Sequence, residues 1–119
     1  MVDIHCHILP GVDDGSPSME GSLEMARMAA DTGVTDIIAT PHCNLPGDGP
    51  GNYRSPELDA ALTRLRQALT REGIPLAVHP GAEVFCTPEL DRLLDRQRLQ
   101  TLGGGRYLLA EFYFALSLI

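Results

Sequence analysis

The sequence predicts an α/β fold built on a parallel sheet, and two observations carry the prediction. Short apolar or β-branched runs alternate along the chain with stretches whose apolar residues recur at helical spacing. Gly, Pro, Asp and Ser collect at the boundaries between the two kinds of segment, where strand–helix connections must turn. No repeat interrupts this alternation, so residues 1–119 read as one small domain.

Val2 to Ile4 is the first strand, followed by a Gly/Asp/Pro loop from Leu9 to Pro17. A helix follows in which Met19, Leu23, Ala26 and Ala30 mark one face, with Ser16 as its N-cap, Pro17 in its first turn and Gly33 as its stop. Thr35 to Ala39 is the second strand, and the Gly- and Pro-rich stretch Leu45 to Gly51 is a surface loop. Ser55-Pro56-Glu57 opens a second helix with Leu58, Leu62, Leu65 and Leu69 inward, and Gly73 closes it. Leu76 to Val78 is the third strand. Thr87-Pro88-Glu89 opens a third helix with Leu90, Leu93 and Leu94 inward, Gly103-Gly104-Gly105 ends it, and Tyr107 to Phe112 is the fourth strand. The pattern amounts to four βα-type units.

Composition bounds the function classes. Of 119 residues 44% are hydrophobic and 21% charged, the balance of a globular domain rather than a disordered one. Nine basic residues, all Arg, against sixteen acidic ones give a net charge of -7, which disfavours a nucleic-acid partner. The start of the chain has neither a basic nor a long apolar leader region, and no run is long enough for a membrane span, so a cytoplasmic protein is expected. Three cysteines in no disulfide-like framework are expected to be reduced.

The chemistry collects at the carboxyl ends of the strands, where α/β barrels build their sites. The first strand runs into His5-Cys6-His7, the second into Thr40-Pro41-His42, the third into Pro80-Gly81-Ala82-Glu83, and the fourth into Ala110-Glu111. In an extended segment His5 and His7 point the same way and Cys6 points away, so the two imidazoles can grip one ion. Asp14, in an Asp-Gly pair, is also an ordinary turn residue, and His42 read alone is equally a loop histidine. Glu83 and Glu111 lie in apolar stretches, where a carboxylate without a compensating partner costs several kcal/mol. Two such carboxylates converging with three imidazoles make divalent cations the natural compensation.

These residues carry a resemblance. Met1 to Gly15, MVDIHCHILPGVDDG, resembles the opening of the polymerase-and-histidinol-phosphatase (PHP) superfamily, and within it the bacterial metal-dependent protein-tyrosine phosphatases of capsular and exopolysaccharide operons. Ser22 to Ala26, Ile37 to His42, Pro80 to Val84 and Tyr107 to Phe112 extend the similarity along the chain to Phe112. The resemblance implies the first four βα-type units of a distorted (β/α)7 TIM-like PHP barrel, with up to three divalent ions, manganese or iron. Carried over by position, His5, His7 and Glu83 match ligands of a first metal, Glu83 and Glu111 of a second, and Asp14 and His42 of a third. It further implies that a metal-bound hydroxide hydrolyses phosphotyrosine, its formation near neutral pH following from the pKa of about 7 that a divalent ion can give its water. The implied partner is a tyrosine-phosphorylated protein, a bacterial tyrosine kinase among the candidates.

A closed barrel takes about 250 residues, and the family's later His-Pro-Glu-Arg and Ser-Asp-Ala-His blocks, with further ligands and an arginine for the phosphate, do not occur in this chain. The expectation is therefore a partial, truncated domain with impaired activity, whose open sheet edge and apolar segment Phe112 to Ile119 favour self-association. Three other readings compete. A PHP-type phosphoesterase could act on a small substrate such as histidinol phosphate, or the chain could be a non-catalytic metal-binding remnant. Cys86 to Arg92 also satisfies the Cys-x5-Arg spacing of thiol phosphatases, although Pro88 removes a donor that a phosphate loop needs. His79 reads as a surface or supporting residue, and Tyr53 and Arg54 as solvated loop.

Overall fold

The computed structural model describes residues 1–112 of the chain. Six strands form two three-stranded parallel sheets rather than one sheet of four. The first sheet joins β1 (Val2–Cys6), β2 (Asp36–Ala39) and β4 (Ala77–His79) in the order β1-β2-β4. The second joins β3 (His42–Cys43), β5 (Glu83–Phe85) and β6 (Leu109–Glu111) in the order β3-β5-β6. No barrel closes among the described residues.

The extra strands arise where sequence interrupts two neighbouring ladders together. Pro41 follows β2 and Pro80-Gly81 follows β4, and a proline has no N–H to give a ladder. Gly81 lies so close to β2 that an added Cβ would sit 2.7 Å from Ile38 Cγ2 and 2.9 Å from the Ala39 carbonyl oxygen, so only glycine permits the approach. Glu83 N–H donates to the Pro41 carbonyl (2.9 Å), and pairing resumes beyond the break as β3 against β5. The second and third expected strand ends change meaning as a result: His42 and Glu83 each open a new strand instead of following the end of an old one.

Helices α1 (Met19–Asp31) and α2 (Pro56–Arg71) pack on the first sheet and on each other. Leu23, Ala26, Leu62, Leu65 and Leu69 meet Ile37, Ala39 and Val78 in the main core, matching the expected apolar faces. The N-cap of α1 is Ser18, whose side chain accepts from Gly21 N–H, and not Ser16. Ser16 is buried instead, its hydroxyl shared with Ser22. Ser55 caps α2 by accepting from Leu58 N–H, with Pro56 at the first helical position as expected.

A smaller core of Cys43, Ala82, Val84 and Leu99 lies under the second sheet, with Leu90 and Leu93 against it. Helix α3 (Leu90–Asp95) is a turn and a half, and the glycines at 103–105 do not end it: a separate 3-10 turn covers Leu102–Gly104. Leu94 is 40% exposed rather than inward, since so short a helix presents only one face. The fourth expected strand is also shorter, Leu109–Glu111, leaving Tyr107 and Phe112 exposed. The apolar segment expected to associate lies, beyond Phe112, outside the described residues.

Candidate metal centre

The site forms where the end of β1 meets the start of the second sheet. Register aligns His42 with Glu83 and Phe85 with Glu111. Side chains alternate faces along a strand and match across parallel rungs, so His42, Glu83 and Glu111 project from one face while Cys43 and Val84 fill the small core on the other. β1 delivers His5 and, just past its end, His7 to the same place.

Glu83 is the hub. Its Oε2 lies 3.0 Å from His5 Nε2, and its Oε1 lies 3.2 Å from His7 Nε2 and 3.1 Å from His42 Nδ1. Glu111 Oε2 lies 3.4 Å from the same His42 nitrogen. Two groups result, His5–His7–Glu83 and His42–Glu83–Glu111, each with one ligand atom per residue within 4.8 Å of the others. Asp14 stands outside both groups: it is 84% exposed, with Oδ1 3.5 Å from His42 Nε2 at the rim.

Asp13 organises the site, and the sequence reading passed over it in favour of Asp14. Its Oδ2 accepts from His7 Nδ1 (2.8 Å) and from His42 N–H (2.9 Å), and its Oδ1 from Gly15 N–H (2.9 Å). Burial pushes its pKa up, but the His7 and backbone hydrogen bonds outweigh that and hold its carboxyl below the usual carboxylate range. An ionised Asp13 only accepts, so a proton sits on His7 Nδ1 and Nε2 is the nitrogen that faces the cluster. Gly15 closes against this histidine, since a Cβ there would collide with His7 Cβ and lie 2.6 Å from its carbonyl oxygen. The signal for Asp13 was present as an Asp two residues before a glycine, the pattern of a side chain bonding its own turn. Asn52 was also missed: its amide donates to the carbonyls of His42 (2.8 Å) and Val12 (2.9 Å), tying the long loop to the site.

The donor set fits divalent cations. His7 Nε2 faces a carboxylate oxygen at 3.2 Å and His5 Nε2 at 3.3 Å, so two imidazole nitrogens and a carboxylate converge closely enough to share a cation. His42 Nδ1 and Glu111 Oε2 are buried and make no hydrogen bond although they are 3.4 Å apart, because neither is aligned on the other. Buried polar atoms left this way cost a few kcal/mol each in a structure with nothing else to bind. Imidazole nitrogens mixed with carboxylate oxygens suit first-row divalent ions.

The cysteine-based alternative finds no phosphate cradle. Cys86 N–H is spent on the Glu111 carbonyl, Thr87 to Glu89 form a turn into α3, and Arg92 lies exposed on that helix. His79 stands away from the centre, its Nε2 2.9 Å from Asp36 Oδ1. Among the described residues no helix is long and apolar enough to cross a membrane, and the three cysteines are unpaired.

Comparison with known proteins gives a consistent picture. The family described as capsular polysaccharide synthesis, CpsB/CapC, matches residues 1–117. The tyrosine-protein phosphatase YwqE of Bacillus subtilis is 41% identical over 114 residues, covering 96% of this chain and 44% of that protein. The putative tyrosine-protein phosphatase CapC of Staphylococcus aureus and the tyrosine-protein phosphatase CpsB of Streptococcus pneumoniae are each 32% identical, over 94% of this chain and 43% and 45% of theirs. A crystallographic study of YwqE and CpsB, described as unique metal-dependent tyrosine phosphatases, includes a chain that superposes with TM-score 0.87 at 41% identity, over 96% of this chain and 45% of its own. This chain thus spans less than half the length of the curated relatives it matches.

Proposed function

This chain belongs to the CpsB/CapC family of capsular polysaccharide synthesis proteins, and from that premise we propose that it carries much of the metal-holding part of a protein-tyrosine phosphatase. The substrate would be a tyrosine-phosphorylated protein, a bacterial tyrosine kinase among the candidates, in capsule or exopolysaccharide regulation, and the sheets would be part of a distorted (β/α)7 barrel. The single observation that carries the reading is the pair of buried, unbonded atoms, His42 Nδ1 and Glu111 Oε2, 3.4 Å apart beside the Glu83 carboxylate.

His5, His7 and Glu83 would hold one ion, and Glu83 and Glu111 with His42 a second. Asp14 and the other nitrogen of His42 offer donors at the rim for a third. Divalent ions there, manganese in our reading, would supply charge neutralisation for phosphoryl oxygens and a water acidified towards neutral pH. The protein's own contribution is orientation: Asp13 fixes the His7 ring and its tautomer, and Asn52 fixes the backbone at His42. Without cations the cluster of Asp13, Asp14, Glu83 and Glu111 would repel a phosphate dianion, so substrate binding is expected to require metal.

Because the relatives are more than twice as long, a second reading is a metal-binding chain without turnover. A titration of the purified chain with manganese, with bound metal and hydrolysis of a phosphotyrosine peptide and an aryl phosphate read on the same sample, separates the two. Turnover that a chelator abolishes supports the phosphatase. Bound metal without turnover supports the second reading, and failure to bind metal overturns both.

A further inference from the structure

A second feature of the molecule is basic, which is unexpected in a chain of net charge -7. A cavity of about 520 Å³ lies behind the residues that support the metal centre, walled by Val12, Asn52, Tyr53 and the arginines Arg54, Arg64 and Arg98. It shares its wall with the centre: Val12 precedes Asp13, and Asn52 bonds the carbonyls of both Val12 and His42. Among the described residues none of these three arginines pairs with a carboxylate, whereas Arg27 pairs with Glu72. Glu57 is the one carboxylate in the wall.

The arginines come from three places in the sequence and are brought together by specific contacts. The Arg98 guanidinium carbon lies 5.1 Å from the centre of the Tyr53 ring, and Tyr53 is itself held by its hydroxyl, which donates to Asn44 Oδ1 at 2.7 Å. Arg54 N–H donates to the Arg98 carbonyl at 2.8 Å, fixing the loop against the segment after α3. Arg64 projects from α2 into the same space. Guanidinium groups present planar donor forks that match carboxylates, and three without a carboxylate partner among the described residues, around a cavity large enough for side chains, form a candidate anion site.

We propose that this cavity binds the acidic residues flanking the target tyrosine of a peptide substrate. It would thereby select tyrosines in acidic surroundings while the metal centre handles the phosphate. The inference rests on the phosphotyrosine reading above only for the identity of the central residue. A long anionic polymer is disfavoured by the chain's surplus of carboxylates, which would repel it outside the cavity.

The test titrates four labelled forms of one tyrosine peptide into the full chain, followed by fluorescence anisotropy. The tyrosine is flanked either by Asp and Glu or by Asn and Gln, each with and without phosphate, and each is measured with manganese and with chelator. In manganese the acidic forms are expected to bind about tenfold tighter than the amide forms, with or without phosphate, and less so at high salt, while chelator is expected to weaken the phosphorylated forms most. Arg64→Gln and Arg98→Gln should each shrink that ratio severalfold, whereas Arg71→Gln at the far end of α2 should leave it intact. All three side chains are exposed, so thermal melts should remain near that of the parent. Equal binding of acidic and amide forms, no binding of either, or arginine variants that weaken both alike would overturn the proposal. If phosphate adds nothing in manganese while the acidic preference persists, the phosphotyrosine reading fails and the anion site stands.

Discussion

At the scale of single residues, the centre depends on a carboxylate that touches three donors and on another that no ion needs to touch. Glu83 reaches His5, His7 and His42, so Glu83→Gln removes shared charge from both donor groups at once. Asp13 holds His7 and His42 from behind; Asp13→Asn keeps the size but weakens the bond that sets the His7 tautomer. Losing such a supporting partner costs about 10–100-fold in metal affinity, and losing Glu83 should cost more than about 100-fold. Cys86→Ser should leave affinity within twofold or so, because Cys86 lies beside the second sheet and outside both donor groups. Competition of manganese against a metal-sensitive dye measures all three, and a Cys86 effect as large as that of Glu83 would sink the assignment. The clustered imidazoles and carboxylates were legible as candidates because each borders an apolar run, although His42 and Glu83 open strands instead of following them. Asp13 was not, because two adjacent aspartates before a glycine look alike in sequence and only the third dimension shows which one faces inward.

At the scale of elements, two short sheets replace one because Pro41 and Pro80-Gly81 break adjacent strands at the same height. The helix faces were legible from their spacing, since burial on a sheet needs only a stripe of Leu and Ala. The two-residue strand β3 was not, since no periodicity exists over His42–Cys43; nor was the early end of α3, which no glycine or proline marks at Asp95. Within the first sheet, β2 and β4 are linked by His79 Nε2 to Asp36 Oδ1, and Thr35 donates to the other Asp36 oxygen. The His79 bond first, then that of Thr35, holds the Asp36 carboxyl below the usual carboxylate range. A depressed carboxyl adds stability that is present above its unfolded pKa and is lost as pH falls through the folded value. Asp36→Asn should therefore be less stable than the parent at neutral pH, with the two denaturation curves converging under acid. The pair is half-exposed, so the gap is expected to be small. A gap that widens as pH falls would refute the linkage.

At the scale of the whole molecule, the two sheets leave four edge strands among the described residues, β1 and β4 in one and β3 and β6 in the other, and apolar side chains lie exposed on β1 and beside β6. β1 pairs only with β2 and β6 only with β5, so each presents a row of unpaired backbone groups. Val2 and Ile4 on β1 are 55% and 52% exposed, and Phe112 beside β6 is 65% exposed. Sheet edges with neighbouring apolar side chains are templates for pairing with another chain, and the described flanks carry neither lysine nor proline to prevent it. The same strands end at the metal centre, so association through either flank would bring further side chains close to His5 or Glu111 and couple self-association to the state of the site. The expected outcome is concentration-dependent self-association of this chain across the micromolar range, visible as a rising weight-average sedimentation coefficient. Placing charge on the flanks with Val2→Lys and Phe112→Asp should return it towards monomer, because a buried unpaired charge opposes edge pairing. Metal affinity measured on the same samples decides the coupling: a change between parent and charged variant links assembly to the centre, and an ideal monomer at every concentration removes the flanks as an interaction surface.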